Sequence, residues 1–227
     1  MDIETFRKLF PLMSTASQQT LEWLLSMVIE HEYPAGRTVL MEDAWGNAVY
    51  FIVAGWVKVR RSVGDDSFTL AILGLGDFFG EMAILDESPR STDIIALSPV
   101  KLLSLSRDKF IDILFQDPQL HHRMLQLMVR RLRQTNLRFE LRSSAPGVKL
   151  ANTLVSLSEN YGQKSATAIE IFNVPVKDLA DVTEIGVEET TKIMDKLDEK
   201  GWIKIDTAKQ RIYLLNFKQL LHLAGRV

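Results

Sequence analysis

The sequence contains no cysteine and only four histidines among its 227 residues. The lack of cysteine excludes disulfides, thiolate metal sites, iron–sulfur ligation and cysteine nucleophiles. His121 and His122 are adjacent on a predicted helix and point in different directions, while His31 and His222 are isolated in the sequence. We therefore expect neither a metal centre nor a cofactor that needs such ligands.

Long apolar runs are missing as well. No stretch approaches the ~20 residues that cross a bilayer, and the first ten residues contain acids and no uninterrupted apolar segment of the signal-peptide kind. This pattern predicts a cytoplasmic protein with no membrane partner. The formal net charge of −2 gives no overall attraction to nucleic acid, so a DNA contact would need a local basic surface.

The composition is otherwise that of an ordinary globular protein, with 46% hydrophobic and 25% charged residues. A length of 227 residues favours two compact units. Glycines recur from Gly36 to Gly74 between short runs rich in β-branched and aromatic residues, which is typical of strands and turns. The predicted strands are 49–53, 56–59, 68–72, 94–97 and 101–105. Residues from about Arg37 to Leu105 should form an antiparallel β-roll, preceded by an amphipathic helix over Ser14 to Glu30.

A long helix is predicted after Asp117-Pro118, because the sequence runs to Leu141 without glycine or proline. Five of its residues have the 3-4-3-4 spacing of a two-stranded coiled coil: Leu125, Met128, Leu132, Thr135 and Phe139. Burial of this stripe against the chain's own roll is the alternative. The arginines around the narrow stripe favour a dimer seam.

The segment Ser143 to Gly147 predicts a break and a hinge, because proline and glycine end helices. Beyond it we expect a helix, two short helices around a turn after Pro175, and a hairpin from Trp202 to Leu215. The predicted fold is thus α+β: an N-terminal jelly-roll-like β-roll with flanking helices (1–117), a dimerisation helix and hinge (118–147), and a C-terminal winged helix-turn-helix (148–227).

The most informative segment runs from Gly76 to Thr92. Gly80 lets the backbone approach a ligand closely, and neighbouring peptide N–H groups could form an anion-binding hollow. Ionised Glu81 only accepts hydrogen bonds, so it suits a ribose hydroxyl and not a phosphate. Arg90 offers a planar set of donors that matches phosphate oxygens, and Ser91 adds a hydroxyl. Together these groups could hold a ribose cyclic phosphate.

The pattern Phe-Gly-Glu-x-Ala followed by Pro-Arg, with Arg90 nine positions after Glu81, closely resembles the phosphate-binding cassette of cyclic-nucleotide-binding domains. The order of β-roll, long helix and winged helix resembles the cyclic-AMP receptor protein and FNR superfamily of transcription regulators over nearly the whole chain. The resemblance implies that Glu81 binds the ribose 2′-hydroxyl and that Arg90 and Ser91 bind the cyclic phosphate. Gly80, Met82 and Ala83 would line the pocket.

The run Arg130 to Asn136 is similar to the part of the family's dimer helix that touches adenine. Thr135 and Asn136 would then contact the nucleotide of one subunit or the other, although a polar seam residue can also simply fix the register of a coiled coil. Retention of the Glu/Arg pair favours cyclic AMP as the effector, with cyclic GMP next. The resemblance further implies a homodimer, an operator in double-stranded DNA, and RNA polymerase as a partner.

The segment from Asp178 to Leu197 is similar to the family's helix-turn-helix, with the second helix starting near Val187. In a major groove, Glu188 could accept from cytosine N4 and Lys192 could donate to guanine, while Val187 and Thr191 could touch a thymine methyl or a phosphate. A surface Glu-Lys pair is the alternative. Glu184 stands where the family's turn usually has a small residue, and Lys192 where arginine is common, so sequence preference does not transfer from relatives.

Two other classes of protein share some of these features. A nucleotide-controlled regulatory subunit would share the cassette but would lack the winged helix and would bind a protein partner. An enzyme would need a catalytic set, and we find no serine-histidine-acid constellation or lysine-bearing phosphate loop in the sequence. We therefore expect a non-enzymatic, allosteric DNA-binding regulator.

Overall fold

The computed structural model describes residues 1–226 and has the predicted α+β composition. The chain divides into two compact units, Met1–Arg133 and Gln134–Val227. No helix within the described residues is both long and apolar enough to cross a membrane.

The first unit contains two four-stranded antiparallel sheets. Its strands are β1 (Ile29–Tyr33), β2 (Thr38–Leu40), β3 (Ala48–Ala54), β4 (Val57–Val63), β5 (Asp66–Leu73), β6 (Phe78–Phe79), β7 (Asp93–Ala96) and β8 (Val100–Ser106). The strand order is β1-β8-β3-β6 in one sheet and β2-β7-β4-β5 in the other. All five predicted strands are confirmed. β1, β2 and β6 are additional, so the strands begin before Arg37.

Helices precede and follow the strands of this roll in sequence, and one short helix lies between β6 and β7. They are α1 (Ile3–Leu9), a 3-10 helix (Pro11–Thr15), α2 (Gln18–Leu25), α3 (Glu81–Leu85), α4 (Arg107–Gln116) and α5 (Pro118–Leu141). The predicted helix over Ser14 to Glu30 is wrong in its extent. Ser17 caps α2 by accepting from the Thr20 N–H at 3.1 Å, and from Ile29 the backbone pairs with β8 instead of continuing as a helix.

The two faces of β3 serve different cores, because successive side chains of a strand point to opposite sides. Val49 and Phe51 pack with Phe6 and Phe10 of the N-terminal segment. Ile52 belongs to the second core, inside the roll, against which Tyr50 is partly buried. The inner face of β3 therefore lies within the roll, beside the predicted cassette.

Helix α5 has the predicted bounds, and Asp117 fixes its start. One carboxylate oxygen accepts from the backbone N–H groups of Gln119 (3.1 Å) and Leu120 (3.0 Å), while the other accepts from the Ser17 N–H and the Thr20 hydroxyl, each at 2.9 Å. Burial alone would raise the pKa of Asp117, but these hydrogen bonds outweigh it and lower the pKa.

The apolar stripe of α5 is largely uncovered in the single chain. Leu125, Leu132 and Phe139 are 55%, 60% and 70% exposed, respectively. Within the first unit, Leu125 and Leu132 are therefore not buried against the roll, whereas Met128 of the same stripe is partly buried against its core. Large exposed apolar side chains in one row are typical of a surface that a partner covers.

The second unit holds the elements of a winged helix-turn-helix. Its elements are α6 (Pro146–Tyr161), β9 (Gln163–Lys164), β10 (Ile169–Phe172), α7 (Val176–Thr183), α8 (Val187–Glu199), β11 (Ile203–Asp206), β12 (Arg211–Leu214) and α9 (Phe217–Leu223), with strand order β11-β12-β10-β9. The predicted hinge is too long by two residues. Pro146 and Gly147 form the first turn of α6, where proline is well accommodated because its missing N–H is not needed.

Candidate ligand and DNA sites

Gly80 forms the turn at the centre of the candidate ligand site. Its φ of 88° lies in the left-handed region, which glycine adopts without steric cost. A Cβ at this position would lie 2.7 Å from Nη1 of Arg90 and 3.0 Å from the Ala48 carbonyl oxygen. The close approach of Arg90 and Ala48 therefore requires glycine at this position, while the predicted approach of a ligand to this backbone stays a prediction.

Arg90 is a buried cation, with only 5% of its surface exposed. Its Nη2 donates to the Ala48 carbonyl oxygen at 2.8 Å, and its Nη1 donates to the Gly80 carbonyl oxygen. Among the described residues, no carboxylate lies within ion-pair distance of this guanidinium. A buried charge without an opposite charge is costly. Burial accordingly lowers the pKa of Arg90, with Tyr50 and Glu81 opposing that shift.

Glu81 opens α3 and is 2% exposed. Nη1 of Arg131, from α5, donates to Oε1 of Glu81, and Nη2 of the same arginine donates to the Phe78 carbonyl oxygen at 2.7 Å. The guanidinium carbon also lies 4.5 Å from the centroid of the Phe78 ring. Burial raises the pKa of Glu81, while the charge of Arg131 opposes this shift.

The remaining predicted pocket residues differ in exposure. Ala83 is buried, whereas Met82 and Ser91 are exposed. The backbone of Arg90 is held by the loop before β3, because the Arg90 N–H donates to the Ala44 carbonyl at 2.8 Å and the Arg90 carbonyl accepts from Asp43 at 2.8 Å. The structure therefore brings Gly80, Glu81, Ala83 and Arg90 together in the first unit. Thr135 and Asn136 are exposed residues of α5 that belong to the second unit.

Arg131 is the residue that sequence reasoning missed. It stands in the arginine-rich run before Thr135, and nothing in the helical spacing distinguishes it from Arg130 or Arg133. Its partner Glu81 is 50 residues away in the sequence. Its intermediate burial, next to the exposed Arg130 and Arg133, is a feature of the fold that the sequence pattern does not reveal.

The candidate DNA-reading residues lie at the start of α8, which begins at Val187 as predicted. Val187, Glu188, Thr191 and Lys192 are all exposed. Three of them line an open cavity of about 590 Å³, which is bounded by Pro146, Lys149, Glu184, Ile185, Gly186, Val187, Glu188, Glu189 and Lys192. The Thr191 hydroxyl donates to the Val187 carbonyl at 2.9 Å, so its proton is already used within the helix.

The turn between α7 and α8 is built around Glu184. This residue has φ 52° and ψ 48°, the left-handed conformation, whereas Gly186 has φ −62° and does not use its conformational freedom. The Glu184 carboxylate lies 3.4 Å from Nε of Arg142, the residue that directly follows α5. Glu184 itself therefore adopts the left-handed conformation of the turn, and Gly186 does not take over this role.

Comparison with known proteins matches both units to described families. Residues 30–117 match the cyclic nucleotide-binding domain, and residues 148–223 match the Crp-like helix-turn-helix domain. The chain is 28% identical over 179 residues to the CRP-like cAMP-activated global transcriptional regulator of Mycobacterium tuberculosis, covering 77% of this chain and 80% of that protein. It is 28% identical over 198 residues to the cyclic AMP receptor protein of Thermus thermophilus, covering 86% and 88%.

A solved structure of the same fold extends this likeness. The c-di-GMP responsive global regulator CLP of Xanthomonas campestris superposes with a TM-score of 0.68 at 19% identity, covering 87% of this chain and 98% of that one. At this identity the likeness concerns the fold alone. Proteins of this architecture therefore include regulators described as responsive to different nucleotides.

Proposed function

Because the chain belongs to the Crp-like transcription regulators, with a cyclic nucleotide-binding domain followed by a Crp-like helix-turn-helix, we propose that cyclic AMP controls its binding to operator DNA. The observation that carries the choice of ligand is the burial of Glu81 and Arg90 at one glycine turn. A buried acceptor and a buried cation side by side fit a ligand that presents both a hydroxyl and an anion.

The cyclic phosphate is assigned to Arg90. Its two recorded hydrogen bonds use one N–H on each terminal nitrogen, and a guanidinium has five N–H donors in all. A phosphate would supply a direct ion pair, which this buried cation does not make with Glu81. Ser91, which follows directly and is exposed, adds a hydroxyl donor at the mouth of the pocket.

The ribose 2′-hydroxyl is assigned to Glu81. Arg131 donates its hydrogen bond to Oε1 of Glu81, and we assign the ribose hydroxyl to Oε2 of the same carboxylate. Burial raises the pKa of Glu81, and the charge of Arg131 opposes that shift and so favours the ionised form, which accepts such a bond. Gly80, Met82 and Ala83 would form the adjoining wall, partly through backbone groups.

The base is assigned to Thr135 and Asn136, and this part rests on the sequence resemblance. The proposed homodimer supports it, because the exposed row of Leu125, Leu132 and Phe139 on the same helix needs a covering surface. A second copy of α5 would provide that surface in a coiled coil. Cyclic GMP is the second candidate, since hydroxyl and amide groups can bond either purine.

DNA reading is assigned to Val187, Glu188, Thr191 and Lys192. Glu188 and Lys192 do not form an ion pair with each other within the described residues, so both charged groups are available to base edges. The same dimer would present two such helices to successive major grooves. We further propose a cytoplasmic location, where operator DNA lies, and contact with RNA polymerase as the route from DNA binding to transcription.

Calorimetric titration tests this proposal. The purified protein is titrated with cyclic AMP, cyclic GMP and a cyclic dinucleotide, alongside Glu81→Ala and Arg90→Ala. We expect cyclic AMP to bind most tightly and each variant to lose roughly 30- to several-thousand-fold in affinity, since truncating one partner of a desolvated charged contact costs ~2–5 kcal/mol. Binding of the dinucleotide alone, or equal affinities in the parent and both variants, would overturn the ligand assignment.

A second experiment identifies the operator. Operator sequences are selected from random-sequence DNA duplexes with and without cyclic AMP.

A further inference from the structure

An aromatic row lines the inner face of the sheet β1-β8-β3-β6. Tyr50 of β3 and Phe79 of β6 are direct cross-strand partners, with ring centroids 5.4 Å apart and an interplanar angle of 8°. The His31 ring lies 6.0 Å from Tyr50 and 6.3 Å from Tyr33. The Tyr50 ring therefore stacks parallel to the Phe79 ring, next to the predicted cassette.

The Tyr50–Phe79 pair lies directly beside the two anchors of Arg90. One anchor is the Ala48 carbonyl oxygen, two residues before Tyr50 on the same strand, so the side chains of both residues share a face. The other anchor is the Gly80 carbonyl oxygen, in the residue that follows Phe79. The guanidinium of Arg90 is therefore fixed to the two strands at the point where the aromatic pair ends.

The electrostatics agree with this placement. Burial raises the pKa of the Tyr50 phenol, the neighbouring Tyr33 adds to the rise, and the charge of Arg90 opposes it. The phenol is consequently a protonated O–H donor at neutral pH. Tyr50 is only partly buried, and its side chain packs against the core inside the roll.

From these contacts we infer that Tyr50 is a ligand-contacting residue whose hydroxyl donates to an exocyclic oxygen of the anion bound by Arg90. The inference rests on the proposed function, because it takes that anion to be a cyclic phosphate. Two donors of different shape, a guanidinium and a phenol, would then fix the two exocyclic oxygens unequally. Tyr50 would distinguish a cyclic phosphodiester, with its constrained oxygens, from a freely rotating phosphate monoester.

The test combines one substitution with two ligand analogues. Tyr50→Phe keeps the ring that stacks on Phe79 and removes only the hydroxyl. The Rp and Sp diastereomers of adenosine 3′,5′-cyclic phosphorothioate each replace one exocyclic oxygen by sulfur, a weaker acceptor. Dissociation constants are measured by calorimetry for cyclic AMP and both analogues, in the parent, in Tyr50→Phe and in Tyr213→Phe, a control that removes a hydroxyl from β12 of the other unit.

We expect Tyr50→Phe to weaken cyclic AMP binding roughly ten- to hundred-fold, the range for a hydrogen bond to a charged group. The penalty for sulfur is the loss of affinity of each phosphorothioate relative to cyclic AMP. In Tyr50→Phe, this penalty should disappear for one diastereomer and stay unchanged for the other. Tyr213→Phe should match the parent. A melting temperature close to that of the parent shows that the stack is intact.

Three results would overturn the inference. If the parent binds cyclic AMP and Tyr50→Phe shows the same affinity and the same two sulfur penalties, the phenol makes no ligand contact and only the inference fails. If Tyr50→Phe loses affinity but both penalties stay as in the parent, Tyr50 acts by shaping the roll. If the parent binds none of the three compounds, the proposed function fails and the inference falls with it.

Discussion

Arg131 of the long helix α5 donates to the carboxylate of Glu81, the residue that opens α3 in the candidate ligand pocket. The carboxylate is almost completely buried, whereas the Arg131 side chain is 33% exposed. The same arginine donates to the Phe78 carbonyl, so it joins α5 to the backbone before Gly80 and to the side chain of the residue after it. Any ligand that engages Glu81 must act on a group that is already bonded to this helix.

Replacement of Arg131 should therefore affect both stability and ligand binding. Removing one partner of a buried pair costs ~3–5 kcal/mol, and we expect less here because Arg131 is partly exposed to solvent. Arg131→Ala should lower the melting temperature by several degrees and weaken cyclic AMP binding. Arg130→Ala, at an exposed neighbouring position, is the matched control. Equal melting temperatures for the two variants would show that the pair contributes nothing to the fold.

Gly80→Ala should abolish ligand binding, because its Cβ would crowd the Arg90 guanidinium. Gly36→Ala is a matched control, since Gly36 also has a positive φ, of 81°, but has no heavy atom within 4 Å of the added Cβ. Both variants should lose ~1–2 kcal/mol of stability from left-handed backbone strain. Only Gly80→Ala should lose more than this and fail to bind in calorimetry. Similar losses in both variants would mean that the close approach to Arg90 is unimportant.

The stability contributed by Asp117 should disappear in acid. Its pKa in the folded protein is lowered from 3.8, so its contribution is fully present above that value and is lost as the pH falls through the folded pKa. Asp117→Asn should reduce the free energy of unfolding at neutral pH by ~1–3 kcal/mol, through lost bonds to a charged acceptor. Urea unfolding at a series of pH values should show this difference shrinking below about pH 3.8.

Asp112→Asn serves as the control for that series. Asp112 is exposed and lies 3.9 Å from Lys109, a surface pair expected to contribute ~0.5 kcal/mol or less. A difference between Asp117→Asn and the parent that is independent of pH would show that the carboxylate charge is not what stabilises the start of α5.

Glu184→Gly should stabilise the second unit or leave it unchanged. The substitution relieves left-handed strain of ~1–2 kcal/mol, against which it loses an exposed ion pair with Arg142 and adds backbone entropy to the unfolded chain. Gly186→Ala, at negative φ, should change stability by ~0.5 kcal/mol or less. Thermal unfolding of both variants measures this. A clear loss of stability in Glu184→Gly would mean that the carboxylate, and not the backbone, determines the turn.

The sequence predicts most of the elements that have strong local signals. The bounds of α5 follow from Asp117-Pro118 and from the absence of helix breakers before Leu141. The start of α8 at Val187 and the hairpin of β11 and β12 are confirmed for similar reasons. Strand β9 is only two residues long and polar, so its pairing with β10 produces no recognisable alternation.

Local sequence patterns do not reveal contacts between residues that are far apart in the chain. The helix predicted over Ser14 to Glu30 ends early because β1 pairs with β8, some 70 residues away in the sequence. The motif identifies Glu81 and Arg90, but not Arg131, whose role depends on how α5 lies against the cassette within the first unit. The sequence does not single out Tyr50 either, because an inward-facing strand residue has the same sequence pattern as any other core residue of a strand.

Nucleotide binding and operator binding should be thermodynamically coupled, and operator affinity measures this coupling. Affinity for the selected operator duplex is measured with and without saturating cyclic AMP at one fixed salt concentration, since salt alone changes protein–DNA affinity strongly. Coupling of ~1–3 kcal/mol predicts a change of roughly 5- to 150-fold, and operator DNA should tighten cyclic AMP binding by the same factor. Equal operator affinities with and without the nucleotide, in a protein that calorimetry shows to be saturated with cyclic AMP, would mean that the two sites are not coupled.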